Sequence, residues 1–181
     1  MLASRMVWEK GIGEFVEAAR ILLSQGVKAR FLLVGESDAG NRNAVSEEQL
    51  RQWNKEGVIE WQGPSRDIAE AFRHAHIVTL PSAYGEGVPK VLLEAAASGL
   101  PIVTTDMPGC REVVKEGVNG FLVPKEDAEQ LAAALKKLIN DPVLCKTMGD
   151  NGRKMIEAEF SVQQVVEETL EVYRSLLAAK V

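Results

Sequence analysis

Short apolar runs alternate with segments of helical periodicity along most of this chain, and this alternation limits the fold more than any other feature. The runs at residues 31–34, 77–80 and 101–105 are typical of buried strands. Residues 13–24 and 127–140 instead place their apolar side chains at helical spacing. Strands that are separated by helices favour a parallel sheet with helices on both faces. The sequence therefore predicts a single α/β domain, and 181 residues suffice for a substantial core.

The most informative stretch lies between the second of these strands and Gly99. A loop rich in glycine and proline leads into a helix that we expect to start at Pro89, because proline suits the first helical position. Glu86 stands in the loop, and Glu94 lies about 7.5 Å further along the helix axis. Glu94 is the only polar side chain in the middle of that helix, so we expect a partner that donates hydrogen bonds to it.

The ligand predicted for this loop combines an anion with hydroxyl groups. Loops at the carboxyl ends of parallel strands bind ligands in open α/β sheets, and Gly85 and Gly87 let the backbone approach one closely. Backbone N–H groups near Val88, together with the helix dipole, favour a phosphate. Ionised carboxylates only accept hydrogen bonds, so they suit hydroxyl groups. A phosphate joined to sugars fits both, although two glutamates on a solvated surface remain the alternative.

The same stretch resembles the E-x7-E signature of the GT-B glycosyltransferases of family 4, also called group 1, which are retaining enzymes that use nucleotide sugars. The matching positions are 81–82, 86–87, 89, 94–95, 97, 99, 101–103, 108–114 and 117–124. The resemblance implies that Glu94 binds the ribose hydroxyls of the donor and that Glu86 contacts the transferred sugar. It also implies that Gly87 and Val88 offer N–H groups to the sugar and diphosphate, at the helix start marked by Pro89. Gly109 belongs to a loop that is near the sugar in this family.

A second part of the resemblance lies at the N-terminus, where Arg5 and Lys10 match the R-x4-K motif of the family. The departing nucleoside diphosphate gains negative charge as the glycosidic bond breaks, so fixed cations stabilise the transition state more than the ground state. Arg5 can form a bidentate fork with phosphate, and Lys10 acts as a point charge. Gly11 and Gly13 follow in an incomplete G-x-G-x-x-G pattern that leaves room for the diphosphate. Without the resemblance, two such cations are typical of a solvated surface.

The resemblance covers nearly all of the chain but only one half of a GT-B enzyme, the Rossmann-like donor-binding domain. Few residues precede Ser4, where a first strand should already be complete. We therefore expect that the N-terminal acceptor domain is absent and that this chain is inactive alone. The acceptor, a glycan or lipid-linked glycan, would bind through the missing domain. The usual setting is cell-surface polysaccharide or lipopolysaccharide biosynthesis, which allows peripheral membrane association of the full-length enzyme.

Composition argues against several other classes of protein. A net charge of −5 is unsuited to general binding of nucleic acid. No apolar run approaches the ~18 residues of a membrane span, and the N-terminus does not resemble a secretory leader. Two widely spaced cysteines, Cys110 and Cys145, indicate free thiols in a reducing compartment. We expect a cytoplasmic protein, with a place at the inner face of the membrane left open.

No metal or cofactor is predicted apart from the donor substrate, a UDP- or GDP-sugar. His74 and His76 are the only histidines, and no nearby cysteine or carboxylate completes a tetrahedral set with them. An Asp-x-Asp motif, which could hold a metal on the diphosphate, is missing from the sequence. Two alternatives remain, a non-catalytic nucleotide-binding module and a GT-B-related sugar-nucleotide epimerase. The epimerase would convert the nucleotide sugar without an acceptor.

The remaining helices are predicted from periodicity and caps. They include residues 68–74, 110–115 and 142–160, and either Asp127 or Glu126 is placed to cap the helix that ends at residue 140. Ser161 caps a last helix with an apolar stripe along one side. In the GT-B fold this helix returns toward the first domain, so we expect part of the stripe to lack its cover and self-association to become plausible.

Overall fold

A computed structural model describes residues 1–85 and 87–178 of the chain. In these residues each of six strands is followed by an α-helix, and two further α-helices follow the sixth, giving eight in all; a 3₁₀ turn, Trp8–Lys10, precedes the first helix. The strands are β1 (Leu2–Ala3), β2 (Leu32–Val34), β3 (Glu60–Trp61), β4 (Val78–Leu80), β5 (Ile102–Thr105) and β6 (Gly120–Val123). The helices are α1 (Ile12–Ser24), α2 (Glu47–Lys55), α3 (Ile68–Arg73), α4 (Lys90–Ala97), α5 (Pro108–Val113), α6 (Ala128–Asn140), α7 (Pro142–Glu159) and α8 (Val162–Ala178).

The strands form a doubly wound parallel arrangement. β1, β2 and β3 pair in that order, and so do β4, β5 and β6. Backbone hydrogen bonds join the two sets, because Met1 donates to the carbonyl of Ile77 (2.7 Å) and Thr79 donates to that of Met1 (2.9 Å). The resulting order, β3-β2-β1-β4-β5-β6, is that of dinucleotide-binding folds, in which ligands bind where the order reverses, between β1 and β4. The predicted Rossmann-like α/β fold is confirmed.

Apolar side chains cover both faces of the sheet. Neighbouring strand residues point to opposite faces, so Leu33 and Val103 join one core cluster, whereas Val34 and Ile102 join the other. The first cluster includes side chains of α1, α2 and α6, and the second includes side chains of α3, α4 and α5. Helix α7 packs against α4 and α6. This two-sided burial explains why the strands read as continuous apolar runs.

Two helix starts differ from the sequence prediction. α4 begins at Lys90, and Pro89 is its N-cap because the ψ of 114° at that proline is extended, not helical. α5 covers Pro108–Val113 in place of residues 110–115, since proline suits its first position and Val114 is already extended. Asp127 and Ser161 cap α6 and α8 as predicted, through the N–H groups of Gln130 (2.8 Å) and Gln164 (3.2 Å).

Helix α8 carries the predicted apolar stripe, but no residue of the helix is buried. Val162 and Leu177 are 74% and 69% exposed. Periodicity therefore predicted the helix correctly, and the stripe has no cover from the rest of the described chain. Among the described residues, no helix combines the length and the apolar character that a membrane crossing needs.

Candidate functional site

The loops that follow β1 and β4 pack directly against each other. Gly11 has a left-handed φ of +74°, and a Cβ added to it would lie 2.1 Å from the carbonyl oxygen of Pro81. The carbonyl of Glu9 accepts hydrogen bonds from the N–H of Ala83 and from the hydroxyl of Ser82, both at 3.0 Å. The segment with the R-x4-K match therefore lies beside the loop with the E-x7-E match, at the edge where a doubly wound sheet binds its ligands.

Three helices begin at this edge without a side-chain cap. In the described chain, the N-cap residues of α1, α4 and α5 are Gly11, Pro89 and Met107, and none of them makes a side-chain cap hydrogen bond. These helices follow β1, β4 and β5, which are neighbours in the strand order. The other α-helices carry side-chain caps, from Ser46, Asp67, Asp127, Asp141 and Ser161.

Uncapped helix N-termini have chemical consequences. The first N–H groups of a helix have no partner within the helix, and the macrodipole adds partial positive charge. An anion can satisfy both, so helix N-termini recur as phosphate sites. Helix α4 suits this role, because it is eight residues long and follows the exposed loop residues Gly87 and Val88. That these helix starts lie together could be recognised only from the strand order, although the sequence already shows that cap residues are missing.

The two predicted cations lie on the β1 side of the edge. The Arg5 side chain is 64% exposed, and its Nη1 donates to Oδ2 of Asp38 at 2.8 Å. Lys10 closes the 3₁₀ turn, with its N–H bonded to the carbonyl of Val7 at 3.0 Å. Gly13 lies in the first turn of α1, where an added Cβ would be 3.3 Å from the ring of Trp8. Its missing side chain therefore makes room for the Trp8 ring.

Glu94 is less buried than the sequence suggested. Its side chain is one third exposed, and Oε1 lies 3.3 Å from Nζ of Lys90, one turn earlier in α4. Lys90 is therefore the ion-pair partner that sequence reasoning missed, although the i, i+4 spacing is readable from the sequence. Glu86, the other predicted carboxylate, lies outside the described residues. Glu94 remains open enough to accept hydrogen bonds from a ligand.

The β5 side of the edge contributes Gly109 in α5. Gly109 is buried in the first turn of the helix, two residues after the N-cap Met107. The hydroxyl of Thr105 donates to the carbonyl of Ser82 at 2.6 Å, so the end of β5 is tied to the β4 loop. Next to it, Arg111 hydrogen-bonds Asp106 and lowers the pKa of that carboxyl. This pair fixes the entry to α5 and keeps Asp106 ionised.

A large cavity of about 950 Å³ lies at the opposite edge, where the strands begin. Its lining includes Leu100, Leu135, His76 and Cys145, and no predicted site residue contributes to it. Cys145 donates to the carbonyl of His76 (3.4 Å), and burial raises the pKa of the thiol. Within the described ranges, no group of three or more His, Cys, Asp or Glu side chains could hold a metal ion. The cavity is thus apart from the loops of the candidate site.

Comparison with known proteins places these features in a family. The family model for glycosyl transferases group 1 matches residues 1–155. The capsular polysaccharide biosynthesis glycosyltransferase CapM of Staphylococcus aureus is 32% identical over 173 residues, which are 96% of this chain and 45% of that protein. The N,N'-diacetylbacillosaminyl-diphospho-undecaprenol alpha-1,3-N-acetylgalactosaminyltransferase of Campylobacter jejuni is 34% identical over 83% of this chain and 38% of its own length.

Solved structures give the same fold. HepE of Anabaena in complex with UDP matches with a TM-score of 0.85 and 26% identity, over 96% of this chain and 48% of that one. The sucrose-phosphate synthase of Thermosynechococcus elongatus matches with a TM-score of 0.83 and 30% identity, over 98% of this chain and 45% of its own. The chain thus spans between 38% and 48% of the length of these relatives.

Proposed function

Because the chain belongs to the group 1 glycosyl transferases, we propose that it forms the donor-binding half of such an enzyme and holds a nucleoside-diphosphate sugar between the β1 and β4 loops. The observation that carries this proposal is the convergence of uncapped helix N-termini and the R-x4-K segment at one edge of the sheet. Such an edge attracts an anion. HepE, which shares the fold, is known in complex with UDP, and this supports uridine as the base to test first.

Arg5 and Lys10 would hold the diphosphate. Both groups follow β1, and the N-terminus of α4 faces the same edge from β4. The charge on the diphosphate rises as the sugar leaves, so these groups would stabilise the transition state more than the bound donor. Gly11 lets this segment lie close to the β4 loop without a side chain in between. The N–H groups of Gly87 and Val88 would complete the contacts.

The two carboxylates would hold the hydroxyl groups of the donor. Glu94 is one third exposed and has only a long contact with Lys90, so it can accept hydrogen bonds from ribose. For Glu86 the proposal rests on the family motif, which assigns it to the transferred sugar.

The finer proposals concern the intact enzyme. It would pass the sugar to an acceptor hydroxyl of a glycan or lipid-linked glycan, with retention at the anomeric carbon, in cell-surface polysaccharide biosynthesis. The name of CapM supports this setting. The name of the Campylobacter enzyme supports a lipid-linked acceptor and specifies an alpha linkage. The configuration of the product, read by NMR from a reaction of the full-length protein, tests retention. An inverted anomeric centre would refute it.

Calorimetric titration of this chain tests the donor site. We expect UDP or GDP to bind and Glu94→Ala to weaken binding about tenfold, since a hydrogen bond to a charged group contributes roughly 1.5–3 kcal/mol and partial exposure reduces it. The 2′,3′-dideoxy form of the same nucleotide should bind both chains equally, because it lacks the hydroxyls that Glu94 would hold.

A matched control separates this effect from the loss of a helical ion pair. Glu157 forms an i, i+4 pair with Arg153 in α7, as Glu94 does with Lys90 in α4. Glu157→Ala should leave the affinity for both nucleotides unchanged. Equal losses of affinity for the normal and the dideoxy nucleotide in Glu94→Ala would remove the ribose role. If neither nucleoside diphosphate binds the unsubstituted chain, the proposed function is wrong.

A further inference from the structure

The loop between β2 and α2 wraps the segment that carries the candidate cations. The carbonyl of Glu36 accepts from the N–H of Met6 (2.9 Å), whose own carbonyl accepts from the N–H of Val45 (2.8 Å). The N–H of Trp8 donates to the carbonyl of Asn43 at 2.9 Å. Residues 36–45, which we name the clamp loop, thus hold both sides of the strand-like stretch after β1.

Side chains of the clamp loop reach the same segment. Asp38 accepts from Nη1 of Arg5 at 2.8 Å, and Nδ2 of Asn43 donates to the carboxylate of Glu9. The loop also holds its own turn, because the carbonyl of Asp38 accepts from the N–H of Asn41 at 2.8 Å. Asp38 is therefore fixed on a braced turn opposite Arg5, although the two residues are 33 positions apart.

This arrangement has little value for stability alone. Ion pairs that are as exposed as this one contribute little to the free energy of folding. An exposed arginine side chain samples many rotamers. Fixing it in one of them costs free energy, and this cost lowers its affinity for a ligand. The contact uses one of the five N–H donors of the guanidinium, so the other donors remain for a phosphate. A partner that accepts a single hydrogen bond and lies on a braced loop is well suited to orient Arg5 and still leave N–H donors for a ligand.

We propose that Asp38 is a positioning residue that fixes Arg5 for the diphosphate of the donor, and that the clamp loop forms a wall of the donor site. The inference rests on the proposed function. Asp38 would act through Arg5, not by contact with the donor. Removing Asp38 would leave Arg5 mobile, and the nucleotide would then have to order it on binding.

Electrostatic repulsion between Asp38 and the diphosphate acts in the opposite direction. In water without salt, each negative charge of the diphosphate that lies about 6 Å from Asp38 would change the affinity by roughly threefold, and UDP carries about two to three such charges. Physiological salt roughly halves the interaction, so the repulsion amounts to roughly a three- to fivefold change in affinity. Ordering a free arginine side chain can cost up to about thirtyfold. The ordering effect is the larger one, so the loss of Asp38 should weaken binding.

The experiment is a double-mutant cycle on UDP affinity, measured by calorimetry. We expect Asp38→Ala, which removes the acceptor for Arg5, to weaken binding about fivefold and Arg5→Ala to weaken it about tenfold or more. In the Arg5→Ala background, Asp38→Ala should not weaken binding, because the group that Asp38 positions is gone. Relief of the charge repulsion should instead tighten binding by up to about fivefold. A purely structural role in the clamp loop would weaken binding in both backgrounds. The matched control is Asp150→Ala, which removes an exposed pair with Lys146 in α7 and should leave binding unchanged.

Three outcomes decide the inference. Unchanged or tighter UDP binding by Asp38→Ala, with Arg5 in place, would show that the carboxylate is irrelevant or competes with the nucleotide. A loss of affinity that persists in the Arg5→Ala background would show a structural role for the loop. In either case the donor-binding proposal stands as long as the unsubstituted chain binds UDP. If that chain binds neither UDP nor GDP, the proposed function fails and this inference fails with it.

Discussion

Replacing Gly11 by alanine should destabilise the chain more than a left-handed backbone alone explains. A non-glycine residue with a φ of +74° costs about 1–2 kcal/mol. At Gly11 the new Cβ would also lie 2.1 Å from the carbonyl oxygen of Pro81, a backbone atom that cannot rotate away. Overpacking of this kind adds about 1–3 kcal/mol. We therefore expect Gly11→Ala to lower the free energy of unfolding by about 3.5 kcal/mol.

Gly26 provides the matched control. Its φ of +76° is nearly the same, and nothing lies within 4 Å of the Cβ that alanine would add. Gly26→Ala should therefore cost only the backbone part, about 1.5 kcal/mol. For a chain of this length, a difference of about 2 kcal/mol between the variants corresponds to about 4–8 °C in Tm. Thermal unfolding followed by circular dichroism resolves such a difference.

The two variants should also differ in nucleotide binding. Alanine at position 11 must push the β1 loop away from Pro81, and the shift moves Lys10 relative to the start of α4. UDP affinity should fall in Gly11→Ala and stay unchanged in Gly26→Ala. If Tm falls by the same amount in both variants and both bind UDP equally well, the contact between the loops contributes to neither stability nor binding, and the reasoning is refuted.

Two further predictions follow from pKa shifts. A hydrogen bond from Arg30 lowers the pKa of Glu60, so this pair stabilises the folded chain at neutral pH, and its contribution is lost as the pH falls through that pKa. The free energy of unfolding, measured with urea, should fall less between about pH 7 and pH 3 for Glu60→Gln than for the unsubstituted chain. The two falls should differ by at most about 1 kcal/mol, because the pair is exposed. Burial raises the pKa of Cys145, so at about pH 8 a thiol reagent should modify it more slowly in the folded chain than in denaturant. Equal rates in the two states, with Cys145→Ser assigning the signal, would contradict this.

The sequence predicted those parts of the fold that depend on local pattern. Strand and helix alternation gave the α/β class, and Asp127 and Ser161 were recognised as caps from their positions before helical spacing. The starts of α4 and α5 differ from the predicted ones by one and two residues. A proline at a helix start can be the N-cap residue, as Pro89 is, or the first helical residue, as Pro108 is. Local chemistry determines such features, so a single sequence is sufficient for them.

Contacts between distant loops could not be predicted in the same way. Asp38 stands in a polar loop without periodicity, and nothing in its neighbourhood indicates that it meets Arg5. The stripe of α8 shows the same limit, since periodicity predicts which side of a helix is apolar but not what covers it. Lys90 is a case that the sequence could have revealed. Its i, i+4 spacing from Glu94 is visible, but the ion pair was overlooked because α4 is mostly apolar.

The missing helix caps show how the strand order can bring locally unfavourable helix starts together into a candidate anion site. An N-cap side chain stabilises a helix by about 1 kcal/mol, so a helix without one is a small local cost that sequence reasoning would treat as neutral. Here the three uncapped helices follow β1, β4 and β5, which lie side by side, whereas the helices that follow β2, β3 and β6 all have caps. A bound diphosphate would supply the acceptors that the caps do not. A Ser or Asp at the N-cap of α4 should therefore stabilise the free chain while it competes with the nucleotide.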